Sequence, residues 1–126
     1  MIEFCELPYG FSDTQWAAGK AEITEILQRQ AKSRAMITYG ELSQALRCIQ
    51  IGPHEPAMGA ILGEISREEF KNGRGMLSVI VVHKYGDQEP GNGFYECAEG
   101  LGLDVSNRMA VWVNQLHAVH GYWAKH

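Results

Sequence analysis

The sequence predicts a mainly α fold with a small β element, of the α+β class. Three observations predict it. Polar capping residues open stretches in which apolar side chains recur every three or four residues. One β-branched run, Leu77 to Val82, is too short for a helix and shows no polar alternation, so it reads as a buried strand. Clusters of glycine, proline and asparagine separate these stretches, yet none is long enough to act as a linker. Residues 1–126 therefore read as one domain.

The elements follow in order. Ser12 to Gln15 is a capping box, with Ser12 as N-cap and Gln15 three residues on. Behind it Trp16, Ile23, Ile26, Leu27 and Ala31 predict a first helix to about Lys32. Met36–Ile37 is a short strand before a second capping box, Thr38 to Glu41, which opens a helix through Leu46. Cys48 to His54 contains Gly52-Pro53 and reads as loop. Pro56 suits a first helical turn, and Met58, Ile61, Leu62 and Ile65 carry a third helix to about Phe70. The second and third helices have the spacing of a helix-turn-helix. Beyond the strand, Tyr85 to Gly93 is loop and Phe94 to Leu101 a short helix. A last helix, capped near Ser106, turns Met109, Trp112, Val113, Leu116 and Val119 toward the core.

Composition narrows the function classes. With 45% hydrophobic and 21% charged residues the chain is an ordinary globular protein, and no run approaches the roughly 20 apolar residues of a membrane span. The start, MIEFCELPYG, lacks the positive and apolar regions of a signal peptide. Cys5, Cys48 and Cys97 are isolated, which fits reduced thiols in a cytoplasm rather than a zinc cage. The formal net charge of −4 counts against tight, non-specific nucleic-acid affinity. No cofactor motif and no metal-ligand spacing is present.

Two segments taken together bring a family into view. Ile37 to Leu46, ITYGELSQAL, followed by Pro56 to Leu62, PAMGAIL, resembles the winged helix-turn-helix of the alkylguanine-DNA alkyltransferases and alkyltransferase-like proteins. In that family a Tyr-x-x-(Leu/Ile)-Ala helix precedes a recognition helix of the form Arg-Ala-Val-Gly-x-Ala-(Met/Leu). An apolar strand with Pro-Cys-His-Arg-Val-Val and a glycine loop ending in an aromatic come next. Here LSVIVV, then GNGFY and ECAEGLG, keep the same order, so the resemblance covers roughly residues 37–102. It implies a winged-helix core with extra N- and C-terminal helices. It also implies DNA as partner, Tyr39 beside the target phosphate, and Gly59 where backbone approaches DNA. Pro56 stands at the family's arginine finger, Ser78 at its methyl-accepting cysteine, and Val79-Ile80 at the following His-Arg. A serine without a neighbouring base is a poor nucleophile, so no repair reaction is expected and no catalytic residue is assigned.

Other candidates have sharp and bland readings. Ser78 with His83 and Glu96 could form a small hydrolase site, His83 serving as base or, with Asp87, Glu89 and Glu96, as metal ligand; a solvated loop after a buried strand is the simpler reading. Pro90 to Gly93 is turn chemistry that could also expose amides to an anion. His117 and His120 lack a third ligand at clear spacing. Trp16, Trp112 and Trp123 suit core packing. Gly59 and Gly63, which weaken a helix, ask for something close by: DNA, the first helix or a partner, with packing the simplest reading. Glu55, Glu64, Glu68 and Glu69 against Arg67 and Lys71 make the third helix acidic, the main objection to DNA. Arg29, Lys32 and Arg34, with Arg74 and Lys84 flanking the strand, could form a local basic patch. The expected nucleic-acid contacts are Tyr39, Gly59, Arg74 and Lys84; the alternative is a protein-interaction module on the same fold.

Overall fold

The computed structural model describes residues 10–83 and 91–126. The described elements are α1 (Asp13–Lys32), β1 (Ile37–Thr38), α2 (Tyr39–Ala45), α3 (Pro56–Lys71), a 3₁₀ turn (Leu77–Ile80), β2 (Val81–Val82), α4 (Asn92–Gly100) and α5 (Arg108–Ala124). The fold is mainly α with a small β element. Both capping boxes form: Ser12 Oγ accepts from Gln15 N at 3.1 Å and Thr38 Oγ1 from Glu41 N at 3.1 Å, each answered by the acidic or amide side chain. Each reciprocal pair satisfies two amides that the helix itself leaves without partners.

α1 buries Gly19, Ile23, Leu27 and Ala31, a four-residue repeat that aims one stripe inward. It is tied to α3 by Trp16, whose Nε1 donates to Glu64 at 3.1 Å, and by Lys20, which pairs with Glu64 and Glu68. Glu22 on α1 accepts from the amides of Arg47 and Cys48, which fixes the chain leaving α2. Residues 46–55 then connect α2 to α3, longer than the roughly three- or four-residue turn of a tight helix-turn-helix. Ile49 and Ile51 anchor this connection in the core.

The strand expected over Leu77 to Val82 is only partly a strand. Leu77–Ile80 coil into a 3₁₀ turn, and only Val81–Val82 pair, parallel to β1, with Ile37 opposite Val81 and Thr38 opposite Val82. The reason is burial. Met76 through Val82 are all buried, so their backbone groups need local or neighbouring partners. A 3₁₀ turn supplies some of these within the segment, Val79 N donating to Met76 O at 2.9 Å. Gln115 of α5 accepts from Met76 N at 3.0 Å, and Ser66 of α3 accepts from Ser78 N at 3.0 Å.

α4 begins at Asn92, so the expected loop ends earlier than Gly93, and neither Gly91 nor Gly93 adopts positive φ. α5 is capped by Asn107 rather than Ser106, its Oδ1 accepting from Ala110 N at 3.1 Å. Its inward face is also rotated from the expected one. Val111, Val119 and His120 are buried and Trp112, Leu116 and Trp123 pack half-buried on the core, whereas Met109 is 64% exposed. Gly75, at φ +86°, lets the chain pass beside α5, where a Cβ would lie 3.0 Å from Val119 Cγ2. Among the described residues no helix is long and apolar enough to cross a membrane.

Gly19 shows how closely the connection at Ile49 packs on α1. A Cβ there would fall 2.5 Å from Ile49 Cγ2 and 2.9 Å from its Cβ. Gly19→Ala should therefore lower stability by about 1–3 kcal/mol through overpacking, despite alanine's better helix propensity. Urea denaturation reads this directly; a raised midpoint would mean that Ile49 does not seat against α1.

Candidate functional site

α3 and α4 face each other across a groove of about 460 Å³. Pro56, Gly59, Ala60 and Gly63 line the α3 side with Glu64 and Arg67, and Gly93, Glu96 and Cys97 line the α4 side. A Cβ built at Gly59 or Gly93 meets nothing within 4 Å, so both glycines open onto free space rather than onto a packed neighbour. Packing is thus not what Gly59 serves. At Gly63 a Cβ would lie 3.3 Å from the Arg67 guanidinium, which folds back over the groove floor.

Beneath the groove, and sharing Gly59, Gly63, Gly93 and Cys97 with it, lies a smaller cavity of about 70 Å³. Tyr39, Leu62, Ser78 and Phe94 complete its wall. Tyr39 is the first residue of α2, held there by the Thr38 cap. Its hydroxyl accepts from Gly91 N at 3.1 Å, and its ring packs 5.1 Å from that of His83. Burial pushes the phenol above its usual pKa of 10, partly offset by the Gly91 hydrogen bond. Tyr39 therefore stays a neutral hydroxyl and pins the chain entering α4 to α2.

Ser78 is buried, and its hydroxyl pairs with Ser66 Oγ at 2.6 Å. His83 is exposed against Tyr39, and Glu96 is exposed on α4. No hydrogen bond joins any two of Ser78, His83 and Glu96, so the structure does not assemble the hydrolase site weighed from the sequence. Asp87 and Glu89 lie outside the described residues. His117 is exposed, His120 bonds Ala35 O at 3.2 Å and His126 bonds Tyr122 O at 2.7 Å. Among the described residues no group of three metal-binding side chains gathers.

Cys97, whose place on this wall the sequence reading missed, donates its thiol to Gly63 O at 3.7 Å. Burial pushes that thiol above its ordinary range, and the Arg67 guanidinium 4.0 Å away pulls it part of the way back. The signal was present in spacing alone: Gly93 and Cys97, like Gly63 and Arg67, are four apart and share a helix face.

Of the four residues expected to touch nucleic acid, the structure brings Tyr39 and Gly59 together at one cavity. Arg74 stands elsewhere, its Nε donating to the buried Glu69 at 2.7 Å, so its charge is already matched. Lys84 lies outside the described residues. The acidic character of α3 also reads differently in three dimensions. Glu64 and Glu68 hold Lys20, Glu69 holds Arg74, and Glu55 accepts from Gly52 N at 2.7 Å. These carboxylates serve the fold rather than form a bare acidic face.

No family model, curated protein or solved structure matches this chain. The groove and its cavity are accordingly characterised by their own geometry.

That geometry makes Gly59 a sharp probe. With open space at its Cβ, Gly59→Ala should raise stability by about 0.5–1 kcal/mol, the ordinary gain from removing a mid-helix glycine. A fall in the denaturation midpoint would show that something packs on this face.

Proposed function

We propose that the chain is a non-catalytic, winged-helix-like binding module of the alkyltransferase-related kind, contacting duplex DNA through the α3–α4 groove. One observation carries this reading. Tyr39, Gly59 and Ser78, each matched separately to the family pattern by sequence, border one cavity of about 70 Å³. That three separately matched positions meet at one cavity supports the pattern they came from.

The same cavity argues against chemistry. Ser78 has a serine partner and no base, and the space holds only a few waters, at about 30 Å³ of liquid volume each. A base turned out of a duplex does not fit it. The contact surface is then the open groove above, where Gly59 and Gly93 admit a backbone closely and Arg67 supplies a cation.

A second reading has its own support. Lys20 and Arg74 are committed to α3 carboxylates, and one of these, Glu64, lines the groove together with the exposed Glu96. These features suit a protein partner better than a phosphate backbone.

Salt titration of duplex binding separates the two. The module should bind weakly at about 50 mM salt with a shallow slope, each phosphate contact contributing about −0.9 to log K against log salt. Gly59→Glu, which fits the open space while placing bulk and negative charge in the groove, should abolish duplex binding without unfolding the protein. If wild type does not bind duplex DNA, or Gly59→Glu binds it equally well, the DNA reading fails and the protein-partner reading replaces it.

A further inference from the structure

The cations of this acidic chain are not spread evenly. Three segments, residues 28–35, 68–74 and 120–126, hold six Lys and Arg side chains against two carboxylates, in a chain of formal net charge −4. The structure joins these segments at one pole, where α1, α3 and α5 end. Gln28 of α1 donates to Glu69 of α3 at 3.3 Å, Arg74 binds the same Glu69, and His120 of α5 bonds Ala35 O at 3.2 Å. Lys32 Nζ of α1's last turn lies 5.8 Å from the Trp123 ring of α5. Both carboxylates are committed, Glu69 to Arg74 and Glu68 to Lys20.

The simplest account is that cations collect where helices end, since the last turn carries a partial negative charge. It explains Arg29, Lys32 and Lys71, which lie in last turns. Arg34, Arg74 and Lys125 lie past the helix ends, so the account leaves half of them over. Lys32, Arg34, Lys71 and Lys125 are exposed and make no ion pair with a described carboxylate.

Flat rings stand among them. The exposed imidazole of His126 stacks on half-buried Tyr122, centroids 4.0 Å apart and planes 6° apart, and Trp123 meets Tyr122 edge-on at 5.0 Å. One stacked, solvent-facing ring pair flanked by unpaired cations is the arrangement that holds bases and phosphates of an unpaired strand. We propose that this pole binds single-stranded nucleic acid, with a base extending the Tyr122–His126 stack and phosphates at Lys32, Arg34, Lys71 and Lys125. The surface is separate from the α3–α4 groove and does not depend on the reading of that groove.

The test is fluorescence anisotropy with a labelled oligo-dT of about 12 nucleotides, within the usual span of such sites. Four phosphate contacts predict a slope of log K against log salt near −3, at about −0.7 per contact for single strands. The triple variant Lys32→Gln, Arg34→Gln, Lys125→Gln should reduce that slope by about two units. His126→Ala, at an exposed position that cannot unfold the domain, should weaken binding about fivefold or more and leave the slope unchanged. Gly59→Glu in the groove should leave oligo-dT binding intact. The proposal is overturned if oligo-dT does not bind at about 50 mM salt, where attraction is strongest. It is equally overturned if the triple variant or His126→Ala binds like wild type, or if vesicles with anionic headgroups bind at this pole and oligo-dT does not.

Discussion

The constraint on which the rest of the structure depends is the complete burial of Met76 to Val82. A chain segment that passes through the interior must have its amides and carbonyls satisfied by other parts of the protein. Four elements converge to do so. α3 offers the Ser66 hydroxyl, α5 offers the Gln115 side chain, β1 offers a two-residue parallel ladder, and the segment bonds to itself through a 3₁₀ turn. Helices that bury apolar stripes can slide; helices that must also meet fixed donors cannot. The register of α3 and α5 around the core follows from those bonds, and with it the placing of Gly59, Gly63 and Arg67 on the outer face of α3.

Charge completes the arrangement in an unexpected way. The acidic residues of α3 look in sequence like a repulsive surface, yet in space they hold α1 through Lys20 and the exit of α3 through Arg74. That use neutralises two of the chain's cations within the fold. Four cations without a carboxylate partner among the described residues, Lys32, Arg34, Lys71 and Lys125, gather at the far ends of α1, α3 and α5. An acidic protein can therefore carry a locally basic pole, because its carboxylates are occupied in holding helices together.

Much of the helical framework was legible because capping boxes and apolar spacing act over a few residues. Ser12, Thr38 and Pro56 each mark a helix start within one position of the observed one. The run Leu77 to Val82 is buried as expected but a strand only at Val81–Val82, for a physical reason: β-branched residues report burial as much as strand geometry, and the partners that favour a 3₁₀ turn there come from Ser66 and Gln115, distant in sequence. The inward face of α5 was set too far round because the apolar arc runs on past the core, from Val111 through Val119, Trp112 and Leu116 to the exposed Met109. At the candidate site, Tyr39 and Gly59 were visible through the family pattern. The spacing of Cys97 from Gly93 and of Arg67 from Gly63 was visible too, but not that the two meet as one wall, since that depends on how α4 is set against α3. Arg74 pointed outward in sequence and is taken up by Glu69 in the fold.

Ser66 holds the buried segment in place through the amide and the hydroxyl of Ser78. A double-mutant cycle between Ser66 and Ser78, followed by urea denaturation, tests it most directly. Ser66→Ala strands both the amide and the hydroxyl of residue 78 in the core and should cost at least about 1–3 kcal/mol, the usual penalty of an unsatisfied buried group. Ser78→Ala leaves its amide bonded to Ser66 and should cost less, and the double variant should lose less than the two singles together. Midpoints for Ser66→Ala indistinguishable from wild type, or strict additivity of the two substitutions, would contradict the account.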